Sequence, residues 1–253
     1  MIYDKLPVVF LSTLASEKED STNKIIAEYI LSHQDEIRNI SIKELADACH
    51  VGTGSLSRFV RDIGLNDFAE LRMLLGDTFY RFEKAETETD LAEDQGRFIS
   101  RSVEQALSSI DMKTVEMLAQ DMHNYKKIYA CGMLKAQNAA VDLSVDMCML
   151  GKLISTNTAY ADQIDHILKA GKEDLIIVFS YTGSYFDYQD FRAKEKHLIL
   201  PKIWMICGTQ KEMPWFVDHV IRFDSTGSQR SHPFQLEAAE SLIVQTYARM
   251  YAE

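Results

Sequence analysis

The chain has 253 residues, 46% of them hydrophobic, which is enough apolar material for packed cores and for two domains. Its formal net charge of -11 and isoelectric point of about 5.1 exclude indiscriminate nucleic-acid binding, which rests on phosphate neutralisation by Lys and Arg, but leave room for a local basic patch. No basic and apolar leader with a small-residue cleavage site begins the chain and no run approaches membrane-spanning length. Cys49, Cys131, Cys148 and Cys207 lack C-x-x-C or metal-ligand spacing. These features read as a cytoplasmic protein with buried, reduced thiols, no zinc site, no cofactor and no membrane partner.

Ile25, Ile26, Tyr29 and Ile30 space out a first helix. Ser41-Ile-Lys-Glu44 then has the pattern of a capping box, in which the Ser41 hydroxyl accepts from the Glu44 N–H and the Glu44 carboxylate accepts from the Ser41 N–H. The helix that follows carries Leu45, Ala46 and Cys49 on one face. A turn is expected at 49–51, with His50 in a left-handed conformation and Val51 plugging the corner, and a second helix from about Gly52 with Leu56, Phe59, Val60 and Ile63 inward. Thr53, Ser55, Ser57, Arg58 and Arg61 are the groups left to meet bases and phosphates. An ordinary helical hairpin fits the same spacing. The absence of acid from Ala48 to Arg61, the exposed hydroxyls and arginines, and a further helix capped by Asn66-Asp67 and carrying Phe68, Leu71 and Leu74 favour a helix-turn-helix docked in a DNA major groove.

Residues 14–75, through Ile26-Ala-Glu-Tyr-Ile-Leu, Ser41-Ile-Lys-Glu-Leu-Ala, Ser57-Arg58-Phe59 and Gly64-Leu-Asn-Asp-Phe-Ala-Glu-Leu, resemble the N-terminal domain of RpiR-type bacterial transcriptional regulators. That resemblance implies a C-terminal sugar isomerase (SIS) domain that senses phosphosugars.

Between Arg81 and Asp94 the composition turns polar and acidic, the expected domain boundary, although a solvated helix face fits too. The expected division is a DNA-binding domain over 1–82, a linker over 83–97 and an effector and dimerisation domain over 98–253. Apolar spacing from Phe98 to Met122 predicts two helices broken near 109–113. After Asn124, continuous apolar runs at 127–131, 153–156, 174–180, 203–207 and 219–223 alternate with helices at 134–150, 160–170 and 186–197, before a last helix at 234–251. Gly151 and Gly171 are read as helix stops. The fold class is therefore an all-helical domain followed by a doubly wound α/β domain with a five-stranded parallel sheet.

Ligands of such sheets collect beyond the carboxyl ends of the strands. There, Ser180-Tyr-Thr-Gly-Ser-Tyr185 resembles the Ser-x-Ser-Gly-x-Thr phosphosugar loop of SIS domains, with Tyr185 replacing the final Thr. Gly132-Met-Leu-Lys-Ala136 stands where that family has Gly-x-Gly-x-Ser, with Leu134 for the second glycine and Ala136 for the serine. The candidate ligand residues are Gly132, Lys135, Ser180, Thr182, Gly183 and Tyr185. Tyr185, Phe186 and Tyr188 bring rings where small hydroxyls would cradle phosphate, and Asp187 adds negative charge, so Lys135 would have to reach across.

His232, Glu237 and Glu240 fit an isomerase acid/base group, with solvated helix-start charges as the reading preferred. Asp162, Asp165 and His166 read as a surface ion group, and Met147-Cys-Met-Leu150 as a packing or subunit face. Together these expectations describe a non-catalytic regulator with a double-stranded DNA operator, a phosphosugar effector, and a homodimeric or higher assembly. The alternatives are an SIS sugar-phosphate isomerase or a regulator with a degenerate pocket.

Overall fold

The computed structural model describes residues 5–33, 36–63, 65–76, 84–85, 90–187 and 201–252. They fall into two compact units, one holding the described residues from 5 to 76 together with 186–187, the other built from 84–85, 90–185 and 201–252.

The first unit is helical. α1 (Lys5–Ser16) packs on α2 (Thr22–Ser32), and α3 (Ile42–Ala48), α4 (Thr53–Asp62) and α5 (Phe68–Gly76) complete it. Its core is the apolar set the periodicity marks: Ile26, Ile30, Leu45, Leu56, Phe59, Val60 and Leu71 are all buried, and Phe10 stacks on Phe59 with ring centroids 6.0 Å apart. The starts of α2 and α5 are chemically specified. The Ser21 hydroxyl accepts from the Lys24 N–H at 3.1 Å, and the Asp67 carboxylate accepts from the Glu70 N–H at 2.9 Å.

The second unit opens with α6 (Leu91–Ser109), started by Asp90 accepting from Ala92 and Glu93, and α7 (Met112–Asn124), started by Asp111 accepting from Lys113. Part of the expected linker lies outside the described residues, and its residues 91–97 form the first turns of α6. Of the two acids in those turns, Glu93 is exposed and Asp94 is half-buried against Arg230. Five parallel strands follow: β1 (Lys127–Gly132), β2 (Ser155–Thr156), β3 (Asp174–Phe179), β4 (Lys202–Cys207) and β5 (His219–Arg222), in the order β2-β1-β3-β4-β5. The connecting helices are α8 (Lys135–Met149) and α9 (Tyr160–Lys169), and α10 (His232–Tyr251) closes the unit. Most of the helix expected at 186–197 lies outside the described residues.

The two sides of the sheet divide by strand alternation. Ile128, Ala130, Leu175, Ile177, Phe179, Trp204 and Ile206 pack into one core with α6, α7, α8 and α10. On the other face Tyr129 stacks on His166 of α9 at 3.8 Å. Gly151, at φ 77°, ends α8 as expected, with the Lys152 N–H bonded to Met147 O at 2.8 Å. α9 stops differently: Ala170 turns extended, and the Asp174 carboxylate accepts from the Gly171 N–H at 2.7 Å. Among the described residues, no helix is long and apolar enough to cross a membrane, and no group of three or more His, Cys, Asp or Glu is placed to hold a metal ion.

Three expectations are corrected by burial. Cys148 is exposed, unlike the other three cysteines, because it lies on the outer side of α8. His232 and Glu240 are not solvated helix-start charges: they are 6% and 3% exposed, because α10 is packed against α6, α7 and α8.

Candidate nucleic-acid interface and effector site

In the first unit the capping box of α3 forms in full, with Ser41 N to Glu44 Oε2 at 2.8 Å and Glu44 N to Ser41 Oγ at 3.2 Å. These bonds hold the Glu44 carboxyl below its ordinary pKa. The helix ends in a paired reverse turn. The His50 N–H donates to Asp47 O at 3.1 Å, the Val51 N–H to Ala46 O at 2.9 Å, and His50 sits at φ 53°. A glycine usually takes that position. Gly52 then starts α4 without a side-chain cap and with no acid in the first turn, so the positive end of the helix stays open. Leu56, Phe59, Val60 and Ile63 are buried, whereas Thr53, Arg58 and Arg61 are exposed and Ser55 and Ser57 half-buried. The five residues expected to face DNA thus lie on one helix and outside the core. Neither arginine forms an ion pair among the described residues.

In the second unit the candidate effector residues gather at the carboxyl ends of β1 and β3. Gly132 has no room for a side chain: a Cβ there would lie 2.4 Å from Ala136 O, as α8 doubles back over the strand. Leu134, in the place of the resembled motif's second glycine, is forced to φ 53°, ψ -119°. After β3, the Gly183 N–H turns back to Ser180 O at 2.8 Å with Gly183 at φ 66°. A Cβ on Gly183 would meet Met213 Cε at 2.7 Å and Thr209 Cγ2 at 2.9 Å, so those side chains pack directly on the loop. Ser180 and Ser184 are buried and Thr182 is half-buried.

The two loop tyrosines turn in opposite directions. Tyr181 donates to Gln235 Oε1 at 2.9 Å and its ring lies on His232 at 4.3 Å. Tyr185 is 1% exposed, donates to Gln163 Oε1 at 2.7 Å, and its carbonyl accepts from the Tyr160 hydroxyl at 2.9 Å. Gln163 is the hub. Its Oε1 also accepts from the Gly132 N–H at 3.2 Å, and its Nε2 lies 2.9 Å from Gly132 O, 2.7 Å from Gln137 Oε1 and 2.6 Å from Asn157 O. Sequence reading missed this residue. A glutamine in the middle of a helix, 31 positions from its partner Gly132, carries no local signal.

Lys135 does not point among the hydroxyls. It is exposed, with Nζ 3.5 Å from Gln229 O, toward the loop before α10. Its charge and, more strongly, burial push the His232 imidazole down to about 3, so His232 is neutral at physiological pH. Burial, then Asp146, Asp142 and Glu237, push the Glu240 carboxyl up to about 8. Phe186 is buried, and Tyr188 lies outside the described residues. Asp165 pairs with Lys169 and Asp162 accepts from Asn157, so that acidic group is the surface ion set expected of it.

The helix-turn-helix domain of the rpiR family matches residues 10–81. The N-terminal unit is an rpiR-family helix-turn-helix domain. An HTH-type transcriptional regulator of Thermotoga maritima is 23% identical over 252 residues, covering 93% of this chain and 87% of that protein. Among solved structures, the Vibrio vulnificus NanR protein complexed with ManNAc-6P covers 97% of this chain and 92% of its own at 15% identity, with a TM-score of 0.54. The sugar isomerase domain of an RpiR transcription factor from Sphaerobacter thermophilus covers 64% of this chain and 92% of its own at 18% identity, with a TM-score of 0.51. The chain has the two-part build of an HTH-type transcriptional regulator: an rpiR-family domain followed by a SIS-type fold.

Proposed function

We propose that this protein is a non-catalytic, operator-binding transcriptional regulator whose SIS-type unit dimerises and takes a phosphosugar effector. The observation that carries the reading is α4: an uncapped helix start with no acid in its first turn, exposed Thr53, Arg58 and Arg61, and an apolar face fully used by the core. Thr53, Ser55 and Ser57 suit base edges or phosphates, and Arg58 and Arg61 supply charge where the chain as a whole is acidic. Self-association is supported by the outer side of α8, where Val141, Val145 and Met149 repeat every fourth residue and are exposed beside Leu153. Two copies would present two α4 helices to inverted half-sites one helical turn, or a multiple, apart.

The effector reading rests on the Ser180 and Thr182 hydroxyls and the Gly183 backbone at the end of β3, beside the Gly132 loop at the end of β1, and on the ManNAc-6P of the NanR structure. Tyr185 serves this site as a wall, since its hydroxyl is already given to Gln163. The test is operator selection from fragmented genomic DNA followed by binding of Arg58→Ala and Arg61→Ala. Each should cost about 1–3 kcal/mol if it reads a base edge. Wild-type affinity in both variants, with the fold intact, refutes the assignment. A screen of sugar phosphates by thermal shift, repeated on Thr182→Val, tests the effector, and turnover of any hit without DNA would establish the isomerase reading instead.

A further inference from the structure

A groove of about 560 Å³, within the size range of small-molecule sites, runs beside the start of α10, and no described residue of the 180–185 loop lines it. Its lining is divided by chemistry. Lys84, Lys135 and Arg230 contribute positive charge, Leu91 and Phe234 contribute exposed apolar surface at 60% and 37%, and among its described lining residues none is acidic. In a chain with 38 acidic against 27 basic residues this is a marked local reversal of charge.

Arg230 is built into place. Its Nη2 pairs with Asp94 at 3.0 Å, Nε and Nη2 hold Gln95 Oε1 at 2.9 and 2.6 Å, and the guanidinium lies 4.3 Å from the Phe98 ring centre. Those contacts orient the guanidinium and use one of its edges, and Nη1 has no hydrogen-bond partner among the described residues. Lys135 comes from the start of α8 and, among the described residues, carries only the long 3.5 Å hydrogen bond to Gln229 O. α10 adds a first turn without acidic residues, with Pro233 near its start and Phe234 exposed.

We propose that this groove binds an organic anion with an apolar body, the head group between Lys135 and Arg230 Nη1 and the hydrocarbon against Leu91 and Phe234. A sugar phosphate does not fit that description, because its hydroxyls would face Leu91, Pro233 and Phe234 without partners. The site is independent of the hydroxyl loop and stands whether or not that loop binds a ligand.

The experiment is calorimetric titration of the full chain with hexanoate, hexyl phosphate, hexanol and glucose 6-phosphate. Hexanoate or hexyl phosphate should bind saturably, and whichever is tighter identifies a carboxylate or a phosphate head. Hexanol should bind at least tenfold more weakly, and glucose 6-phosphate should not compete. Lys135→Gln and Leu91→Gln both alter exposed side chains and should leave the unliganded melting temperature unchanged. Each should weaken the preferred anion at least fivefold, whereas Thr182→Val should leave it unaltered. The proposal is overturned if hexanol binds as well as the anions, if both groove variants bind like wild type, if Thr182→Val abolishes the binding, or if neither anion binds at millimolar concentration.

Discussion

The Tyr185 hydroxyl and the Gln163 side-chain oxygen meet at 2.7 Å, and through that oxygen the loop after β3 is tied to the Gly132 N–H at the end of β1. The bond joins the two strand ends where a ligand of this fold would sit. Tyr185→Phe should destabilise the second unit by about 1–2 kcal/mol, since Gln163 keeps its backbone partners and loses one donor. Tyr185→Thr restores the residue type of the resembled loop but empties a fully buried ring, at a cost of about 3–5 kcal/mol. Urea unfolding followed by far-UV dichroism measures both, and equal losses in the two variants would contradict the packing role of the ring.

Leu134 is held at φ 53°, ψ -119°, a conformation that suits glycine. Relief of about 1–3 kcal/mol of backbone strain outweighs the roughly 0.5–1 kcal/mol of extra unfolded-state entropy that glycine brings. Leu134→Gly should therefore raise stability by about 1 kcal/mol. A loss in thermal unfolding would show that the half-buried leucine side chain contributes more by packing than the backbone gives up.

Ser41→Ala breaks the capping box and should destabilise the first unit by about 0.5–2 kcal/mol, with no change in the transition of the second. The Glu44 carboxyl titrates below its ordinary range in the folded chain. Its contribution is therefore present above the unfolded carboxyl pKa and is lost as pH falls through the folded value. In calorimetry at falling pH, the difference between wild type and Glu44→Ala should shrink; a difference independent of pH would exclude the bond from the Ser41 N–H to the Glu44 carboxylate.

Glu240 behaves in the opposite sense. Its carboxyl is raised to about 8 by burial and by the acids of α8 and α10, so between the ordinary carboxyl range and pH 8 the unfolded chain releases a proton that the folded chain keeps. That part of the stability is complete in acid, falls as pH rises toward 8 and stays low above it. Glu240→Gln should flatten this slope and stabilise the protein at pH 8 by roughly 2–4 kcal/mol, about 1.4 kcal/mol for each pH unit of displacement. Melting curves at pH 5, 6.5 and 8 test it, and parallel curves for variant and wild type would refute it.

The elements most legible in the sequence are those whose signal is local. Ser41 and Glu44 specify the start of α3, and the continuous runs at 174–180 and 203–207 specify the buried parallel strands β3 and β4. Hydrophobicity says less about where pairing stops: the segment 153–156 opens on the apolar pair Leu153-Ile154 and Ile154 is buried, but only the polar Ser155 and Thr156 pair with β1. The effector site was only half legible. The loops at 132–136 and 180–185 are visible from their residue types, whereas Gln163, Gln235 and Arg230 act through partners 22–136 positions away. The burial of His232 and Glu240 escaped notice for a related reason: a helix covered by three others loses the polar stripe that reports which side faces water.

The strand order β2-β1-β3-β4-β5 also bears on how the chain is made. Lys127 must wait for Asp174, and Leu175 for Lys202, before any central pair of the sheet can close, whereas α2 to α5 contact near neighbours in sequence. Non-local pairings assemble slowly and local helix contacts quickly. During synthesis, which proceeds from the amino end, the helix-turn-helix unit emerges and folds while the ribosome is still extending the sheet. A stalled or truncated product would thus carry a finished α4 without the sheet.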